Sequence, residues 1–118
     1  MTDRKKSAKS KAWRPRTQMI RGGLERSGFD ETSEAMYLTS GYIYDKAEEA
    51  QAAFKEEIDR FVYSRFGNPT VSVFEERMAL LEGAEACRGT ATGMAAVFSS
   101  LMCQLKTGDH VVAARALF

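Results

Sequence analysis

The sequence is poor in cysteine, histidine and proline, and it has almost no net charge. It contains two cysteines, one histidine and two prolines among 118 residues, with 17 basic and 16 acidic side chains. Two cysteines without C-x-x-C or metal-ligand spacing exclude a disulfide framework and a zinc ribbon. We interpret Cys87 and Cys103 as buried, reduced thiols of a cytoplasmic protein. The balanced charge excludes a whole-chain field that attracts nucleic acid or membrane.

Long apolar segments are also missing. No run approaches the roughly 18 apolar residues of a membrane span, and the charged N-terminus lacks the apolar segment of a secretory signal. Residues 1–16 hold seven basic side chains and one acidic one, which predicts a disordered, solvated basic tail. An arm that binds nucleic acid or membrane and a mitochondrial-type presequence are the alternatives.

The chain has the size of one small domain. In its N-terminal half, the sequence pattern predicts short elements separated by loops. Apolar spacing, aromatic residues and turn residues predict a helix at 17–26, a loop at 27–34, an extended segment at 36–44, a helix at 46–58 and an aromatic loop at 61–69. Two consecutive glycines weaken the first of these helices.

The C-terminal half predicts a strand, a helix and a second strand. Asn68 suits the cap of a preceding helix, which has apolar residues at helical spacing and ends at Gly83. A strand at 86–91, a helix that begins near Thr92 and a strand at 110–114 then form a βαβ unit, and so an α/β fold with a parallel sheet. One crossover cannot make a covered parallel sheet. We therefore expect the N-terminal piece of a longer protein, the alternative being a self-sufficient small domain.

Two segments have residues that suit phosphate binding. Thr92, Gly93 and Met94 would offer a hydroxyl and unpaired N–H groups at the positive end of a helix dipole. Their glycine spacing fits neither a Walker A motif nor a G-x-G-x-x-G fingerprint, and an ordinary helix cap is the alternative. In residues 63–70, the Arg65 guanidinium and the Tyr63 phenol both suit anion recognition, and a turn with a surface arginine is the alternative.

Several strings of residues resemble one enzyme family. Residues 63–70 read Tyr-Ser-Arg-Phe-Gly-Asn-Pro-Thr, followed by Leu-Leu-Glu-Gly-Ala at 80–84, Ala-Thr-Gly-Met-Ala-Ala at 91–96 and Lys-Thr-Gly-Asp-His-Val-Val at 106–112. In this order and spacing, nearly the whole chain resembles the N-terminal part of the Cys/Met-metabolism enzymes that depend on pyridoxal 5′-phosphate (PLP).

The resemblance implies an α/β fold, namely the N-terminal part of a fold-type I PLP-dependent transferase. An extended helical arm would precede the first βαβ unit of the large domain. The implied division is a basic tail at 1–16, a subunit-contact arm at 17–60 and the incomplete start of the PLP-binding domain at 61–118.

The resemblance also implies roles for individual residues. Tyr63 and Arg65 would reach the cofactor phosphate of the neighbouring subunit in a homo-oligomer, a dimer of dimers. Thr92, Gly93 and Met94 would bind the phosphate in their own subunit. The lysine that forms the Schiff base is expected beyond the last residue, so no catalytic residue and no metal site is expected in this chain, which alone would be inactive.

Phe118 helps to choose a branch within the family, because it falls where an aromatic ring stacks on the cofactor and where many relatives have tyrosine. Together with residues 75–77 and 81–85, it is most similar to the O-succinylhomoserine sulfhydrylases, cytoplasmic enzymes of methionine biosynthesis. Those enzymes replace the succinate of O-succinylhomoserine by sulfide to give homocysteine. Cystathionine γ-synthase and methionine γ-lyase are the alternatives within the family, and a non-catalytic phosphate-binding or interaction module is the alternative outside it. No nucleic-acid or membrane partner is implied.

Overall fold

The first two helices are short because residues with left-handed backbone follow them closely. The structure is a computed structural model that describes residues 12–24 and 26–116. Helix α1 spans Pro15–Arg21, and helix α2 spans Ala47–Phe54. Gly23 has φ +64° just after α1, and Glu56 has φ 60° just after α2. Both helices overlap the predicted ranges and end earlier than predicted.

Two of the sequence predictions concern residues outside the described ranges. Residues 1–11 of the predicted basic tail lie outside the described residues, and so does Phe118.

Helix α3, which spans Pro69–Glu82, has the ends that the sequence predicts. The Asn68 side chain accepts a hydrogen bond from the Thr70 N–H at 2.9 Å, and proline occupies the first helical position. Gly83 takes the left-handed conformation with φ 63°, which a residue without Cβ adopts at little cost. The α3 boundaries are therefore set by local sequence.

Helix α1 packs against α3 through Arg77. Its Nε donates to the Gly22 carbonyl at 2.8 Å, and its Nη2 donates to the Ile20 carbonyl at 3.2 Å. Arg77 also pairs with the Glu34 carboxylate. One guanidinium thus binds two carbonyls at the end of α1, where the helix dipole is negative, and a loop carboxylate.

The extended segment at 36–44 runs beside residues 60–63. Gly41 and Tyr63 form an isolated antiparallel bridge, and Tyr42 stacks on Phe61 with ring centroids 5.7 Å apart. The Arg60 guanidinium donates to the Ile43 carbonyl at 2.6 Å. The predicted extended segment and aromatic loop therefore lie together.

The predicted βαβ unit is confirmed only in its helix, α4, which spans Gly93–Met102. Within residues 12–24 and 26–116, neither 86–91 nor 110–114 forms a strand. A strand needs neighbours that accept and donate its backbone hydrogen bonds, and no such neighbour is present among the described residues. The α/β sheet thus stays a prediction.

The chain divides into two compact units, Met1–Arg88 and Gly89–Phe118. The first contains α1 to α3 and the few buried side chains, which include Ala53 and Ala79. The second contains α4. Among the described residues, no helix is long and apolar enough to span a membrane.

Candidate functional site

A tight turn brings Tyr63 and Arg65 together in the first unit. The Phe66 and Gly67 N–H groups both donate to the Tyr63 carbonyl, at 2.9 and 3.1 Å. The Arg65 guanidinium carbon lies 5.1 Å from the centre of the Tyr63 ring and 5.5 Å from that of Phe66. Rings at this distance hold a guanidinium by cation–π attraction. Its N–H donors stay available because the side chains of Arg65 and Tyr63 are both exposed.

This pair of side chains has the chemistry of an anion site. A guanidinium offers a planar fork of N–H donors that matches phosphate oxygens, and a phenol offers one more donor. The sequence predicts Tyr63 and Arg65 for this role, and in the structure the Arg65 guanidinium lies over the Tyr63 ring.

Asn68 lies at the other end of this turn and makes three hydrogen bonds, of which the sequence predicts only the helix cap. Its Nδ2 donates to the Tyr37 carbonyl at 2.9 Å and to Ser64 Oγ at 3.0 Å, while its Oδ1 caps α3. Local sequence predicts the cap. The bond to Tyr37 joins residues 31 apart, so no local pattern contains it.

The second candidate segment starts α4. Thr92 Oγ1 accepts a hydrogen bond from the Ala95 N–H at 3.0 Å, as a helix cap does. The Gly93 and Met94 N–H groups are at the first two helical positions, where no intrahelical acceptor exists. A Cβ built on Gly93 would have no atom within 4 Å, so a ligand can approach its backbone.

The structure brings these residues together in two groups. Tyr63 and Arg65 are neighbours in the first unit, and Thr92, Gly93 and Met94 are contiguous in the second. Both groups offer donors rather than acceptors, which suits the oxygens of a phosphate.

Other titratable groups give no sign of a further reactive centre. Lys46, Lys55 and Lys106 are exposed, unlike an amine that a hydrophobic pocket activates for covalent catalysis. The described residues contain no group of three metal-ligating side chains. Cys87 is half-buried and Cys103 is exposed, so the prediction that both thiols are buried is wrong.

Among the residues that the structure describes, two carboxyl groups have lowered pKa values, and both lie in the first unit. The pKa of Glu31 falls because the Ser27 hydroxyl, at 2.7 Å, and the Ser27 N–H, at 2.8 Å, donate to the carboxylate. The pKa of Glu34 falls because of a hydrogen bond from its own backbone N–H and a second one from Arg77. These are contacts of the α1–α3 region and are separate from Arg65.

Comparison with solved structures gives the class of fold. The chain superposes on a Campylobacter jejuni protein assigned as an O-acetylhomoserine (thiol)-lyase with a TM-score of 0.75 at 29% identity, covering 82% of this chain and 24% of that protein. That structure contains pyridoxyl-lysine monophosphate. The chain therefore has the fold of the corresponding part of a PLP-dependent enzyme.

The family follows from sequence. Residues 16–118 match the model of the Cys/Met metabolism PLP-dependent enzymes, and the chain belongs to this family. It is 64% identical over 99 residues to an O-succinylhomoserine sulfhydrylase of Mycobacterium tuberculosis, covering 84% of the chain and 24% of the relative. A second enzyme of that name, from Pseudomonas aeruginosa, is 44% identical over 86% of the chain and 25% of the relative.

More distant relatives have a different activity. An L-methionine gamma-lyase of Porphyromonas gingivalis is 36% identical over 86% of the chain and 26% of the relative. The chain thus spans about a quarter of the length of the curated relatives it matches. The family's cofactor is PLP.

Proposed function

We propose that the chain is the N-terminal part of a PLP-dependent O-succinylhomoserine sulfhydrylase. The parent enzyme would replace the succinate of O-succinylhomoserine by sulfide and form homocysteine for methionine biosynthesis. The observation that carries this proposal is the identity of 64% to a sulfhydrylase, against 36% to a methionine gamma-lyase over a similar length.

The described residues fit the phosphate group of PLP. In this proposal Tyr63 and Arg65 donate to the phosphate of the cofactor. The Gly93 and Met94 N–H groups also donate to a cofactor phosphate, that of their own subunit, and Thr92 fixes the start of α4. Phe118 would stack on the pyridine ring, as the family resemblance implies. The bound cofactor supplies an electron sink for the bonds that break, and the chain supplies orientation and charge.

We also propose that Tyr63 and Arg65 serve the site of a neighbouring subunit, which makes the enzyme at least a dimer and, in its full assembly, a dimer of dimers. Mixing full-length Arg65→Ala with a variant that lacks the Schiff-base lysine should then restore part of the activity. One site of each mixed dimer would combine an intact arginine with an intact lysine. Confirmed subunit exchange without recovered activity would contradict the shared site.

The Schiff-base lysine belongs, in this proposal, to sequence after residue 118. The exposed lysines of this chain do not provide a substitute, so the 118-residue chain should form no homocysteine by itself. A cytoplasmic location fits the free thiols of Cys87 and Cys103.

The test is a substrate comparison with the full-length enzyme. We expect sulfide-dependent formation of homocysteine from O-succinylhomoserine, with slower turnover of O-acetylhomoserine. We expect little release of methanethiol from methionine. Methionine cleavage as the main activity would identify a γ-lyase instead, and cysteine in place of sulfide as the preferred donor would identify a cystathionine γ-synthase.

A further inference from the structure

Asn68 lies between the candidate phosphate-binding turn and helix α3, and it is only 6% exposed. We propose that Asn68 is a positioning residue, which holds the turn at 63–67 against residues 37–40 so that Tyr63 and Arg65 can receive a phosphate. This inference rests on the proposed function, in which that turn binds the cofactor phosphate.

The turn is tied to the extended segment at both of its ends. On one side, the Ser64 N–H donates to the Ser40 carbonyl at 2.9 Å, and Ser64 Oγ donates to the Thr39 carbonyl. On the other side, Asn68 Nδ2 donates to the Tyr37 carbonyl at 2.9 Å. We call these contacts, together with the hydrogen bond from the Tyr37 N–H to Thr70, the Asn68 clamp.

One further bond completes the Asn68 clamp. Thr70 Oγ1 accepts from the Tyr37 N–H at 2.8 Å, so both the N–H and the carbonyl of Tyr37 bind the start of α3. Asn68 Nδ2 also donates to Ser64 Oγ at 3.0 Å and so joins the two sides. Arg65 lies between Ser64 and Asn68 in the chain, which leaves its backbone few conformations.

A helix cap alone does not require asparagine here. Capping uses the Oδ1 acceptor, and serine or aspartate at this position provides an equivalent acceptor. The two donations to Tyr37 and Ser64 need the side-chain amide, which neither replacement has. Asn68 is buried, and its side-chain amide makes both of these donations. A substitution that keeps the capping oxygen and removes the amide therefore separates the two roles.

The expected consequence is a loss of preorganisation at Arg65. Without the amide, the turn samples more conformations, and phosphate binding must first order it. The loss of two neutral hydrogen bonds corresponds to about a tenfold weaker affinity for a phosphate held by this turn.

The experiment uses apo forms of the full-length enzyme and two probes, PLP and pyridoxal, which lacks the phosphate. Fluorescence titration measures both affinities. The affinity ratio, which is the affinity for PLP divided by the affinity for pyridoxal, isolates recognition of the phosphate from binding of the ring. We expect Asn68→Ser to lower this ratio about tenfold while leaving pyridoxal affinity nearly unchanged. For the charge-removing variant Arg65→Ala, the exposed Arg88→Ala controls for loss of a charge in the same unit.

A second pair of variants guards against misfolding of Asn68→Ser. Thr70→Val removes the acceptor for the Tyr37 N–H, and Thr70→Ser keeps it. We expect Thr70→Val to lower the ratio and Thr70→Ser to retain it. The positioning role would be overturned if Thr70→Val had the same affinity ratio as Thr70→Ser and Asn68→Ser had the same ratio as the wild type.

Arg65→Ala separates this inference from the proposed function. If Arg65→Ala leaves the affinity ratio unchanged, the turn does not bind phosphate and the proposed function of that turn fails. If Arg65→Ala lowers the ratio and Asn68→Ser does not, only the positioning role of Asn68 fails. Because Asn68 acts through Arg65 in our proposal, the double variant should have the same ratio as Arg65→Ala, and additive losses would overturn it.

Discussion

The described residues from 12 to 88, which form the first region, and residues 90–116, which form the second, differ in the range of the contacts that hold them. In the first region, hydrogen bonds join Tyr37 to Thr70 and to Asn68, which are 33 and 31 residues away. In the second region, the side-chain hydrogen bonds from Thr90 to Asp109 join residues at most four apart. Both regions contain a capped helix, so helix formation alone does not distinguish them.

The helices of the two regions also differ in what covers them. Helix α3 packs against α1, whereas the apolar side chains of α4 are exposed, with Met94 at 72% and Phe98 at 63%. A short helix with an uncovered apolar face depends mainly on its own caps and propensity, which stabilise it little in water. Local residues such as a capping threonine can therefore set where a helix begins, while the stability of that helix must come from tertiary contacts that cover its apolar face.

The strongest test of this difference is amide hydrogen exchange in the 118-residue chain. After correction for intrinsic rates, amides in the middle of α4 should exchange about a hundredfold faster than those in the middle of α3, because isolated helices shorter than about 12–15 residues are marginal. In the longer enzyme that we propose, the protection of α4 should rise more than that of α3. Equal protection of the two helices in the short chain would contradict the comparison.

A glycine substitution next tests the contact between α1 and α3. Gly23 has φ +64°, and a Cβ there would lie 2.7 Å from the Glu76 Cβ. Gly23→Ala should therefore lower the free energy of unfolding of the first region by about 2 kcal/mol, through backbone strain and overlap. Fluorescence of Trp13 during urea unfolding measures it, since Trp13 is the single tryptophan and precedes α1.

The matched control for that substitution is Gly28→Ala, where an added Cβ meets no atom within 4 Å. It should leave the urea midpoint nearly unchanged. A similar loss in the two variants would mean that the α1–α3 contact is not what the substitution disrupts.

The sequence predicted what depends on neighbouring residues and missed what depends on distant ones. The caps at Asn68 and Thr92 and the stop at Gly83 follow from the preferences of those residue types, and the structure confirms them. The bond from Asn68 to Tyr37 has no local pattern and was not predicted. Strands at 86–91 and 110–114 were predicted from composition, but a strand exists only with a partner, and none is present in the described part of the chain.

The same reasoning applies to the candidate site. The proximity of Tyr63 and Arg65 follows from their spacing in a turn, and the start of α4 follows from Thr-Gly before an apolar run. A site that combines such segments depends on tertiary contacts, which short motifs do not contain. The proposal that the two segments bind the same kind of ligand therefore rests on the family resemblance.

Arg77 offers a smaller test of the long-range contacts in the first region. Arg77→Ala removes the donors to the Ile20 and Gly22 carbonyls and the pair with Glu34, and it should cost about 1.5 kcal/mol of the free energy of unfolding. Arg88→Ala removes the ion pair between the exposed Arg88 and the half-buried Glu75 and should cost less than about 0.5 kcal/mol. Trp13 fluorescence in urea compares them, and equal losses would contradict a special role for Arg77.

The smallest expected effect is a pH dependence confined to the first region. The pKa values of Glu31 and Glu34 lie below their usual value of 4.5 in the folded chain. As the pH falls below 4.5, the unfolded chain binds protons before the folded chain does, so stability drops. The contribution of each carboxylate is complete above that pH and is lost as the pH falls through its folded pKa.

Two substitutions assign this pH dependence to its carboxylates. Glu34→Gln should flatten the dependence of the urea midpoint on pH between about 6 and 3, because a group that does not titrate replaces one that does. Ser27→Ala removes the hydroxyl donor to Glu31 and should raise the pKa of that carboxyl toward its usual value, which NMR titration measures directly. An unchanged pKa of Glu31 would show that the Ser27 hydroxyl does not hold the carboxylate. A pH profile unaltered by Glu34→Gln would place the acid sensitivity outside the long-range contact between Glu34 and Arg77.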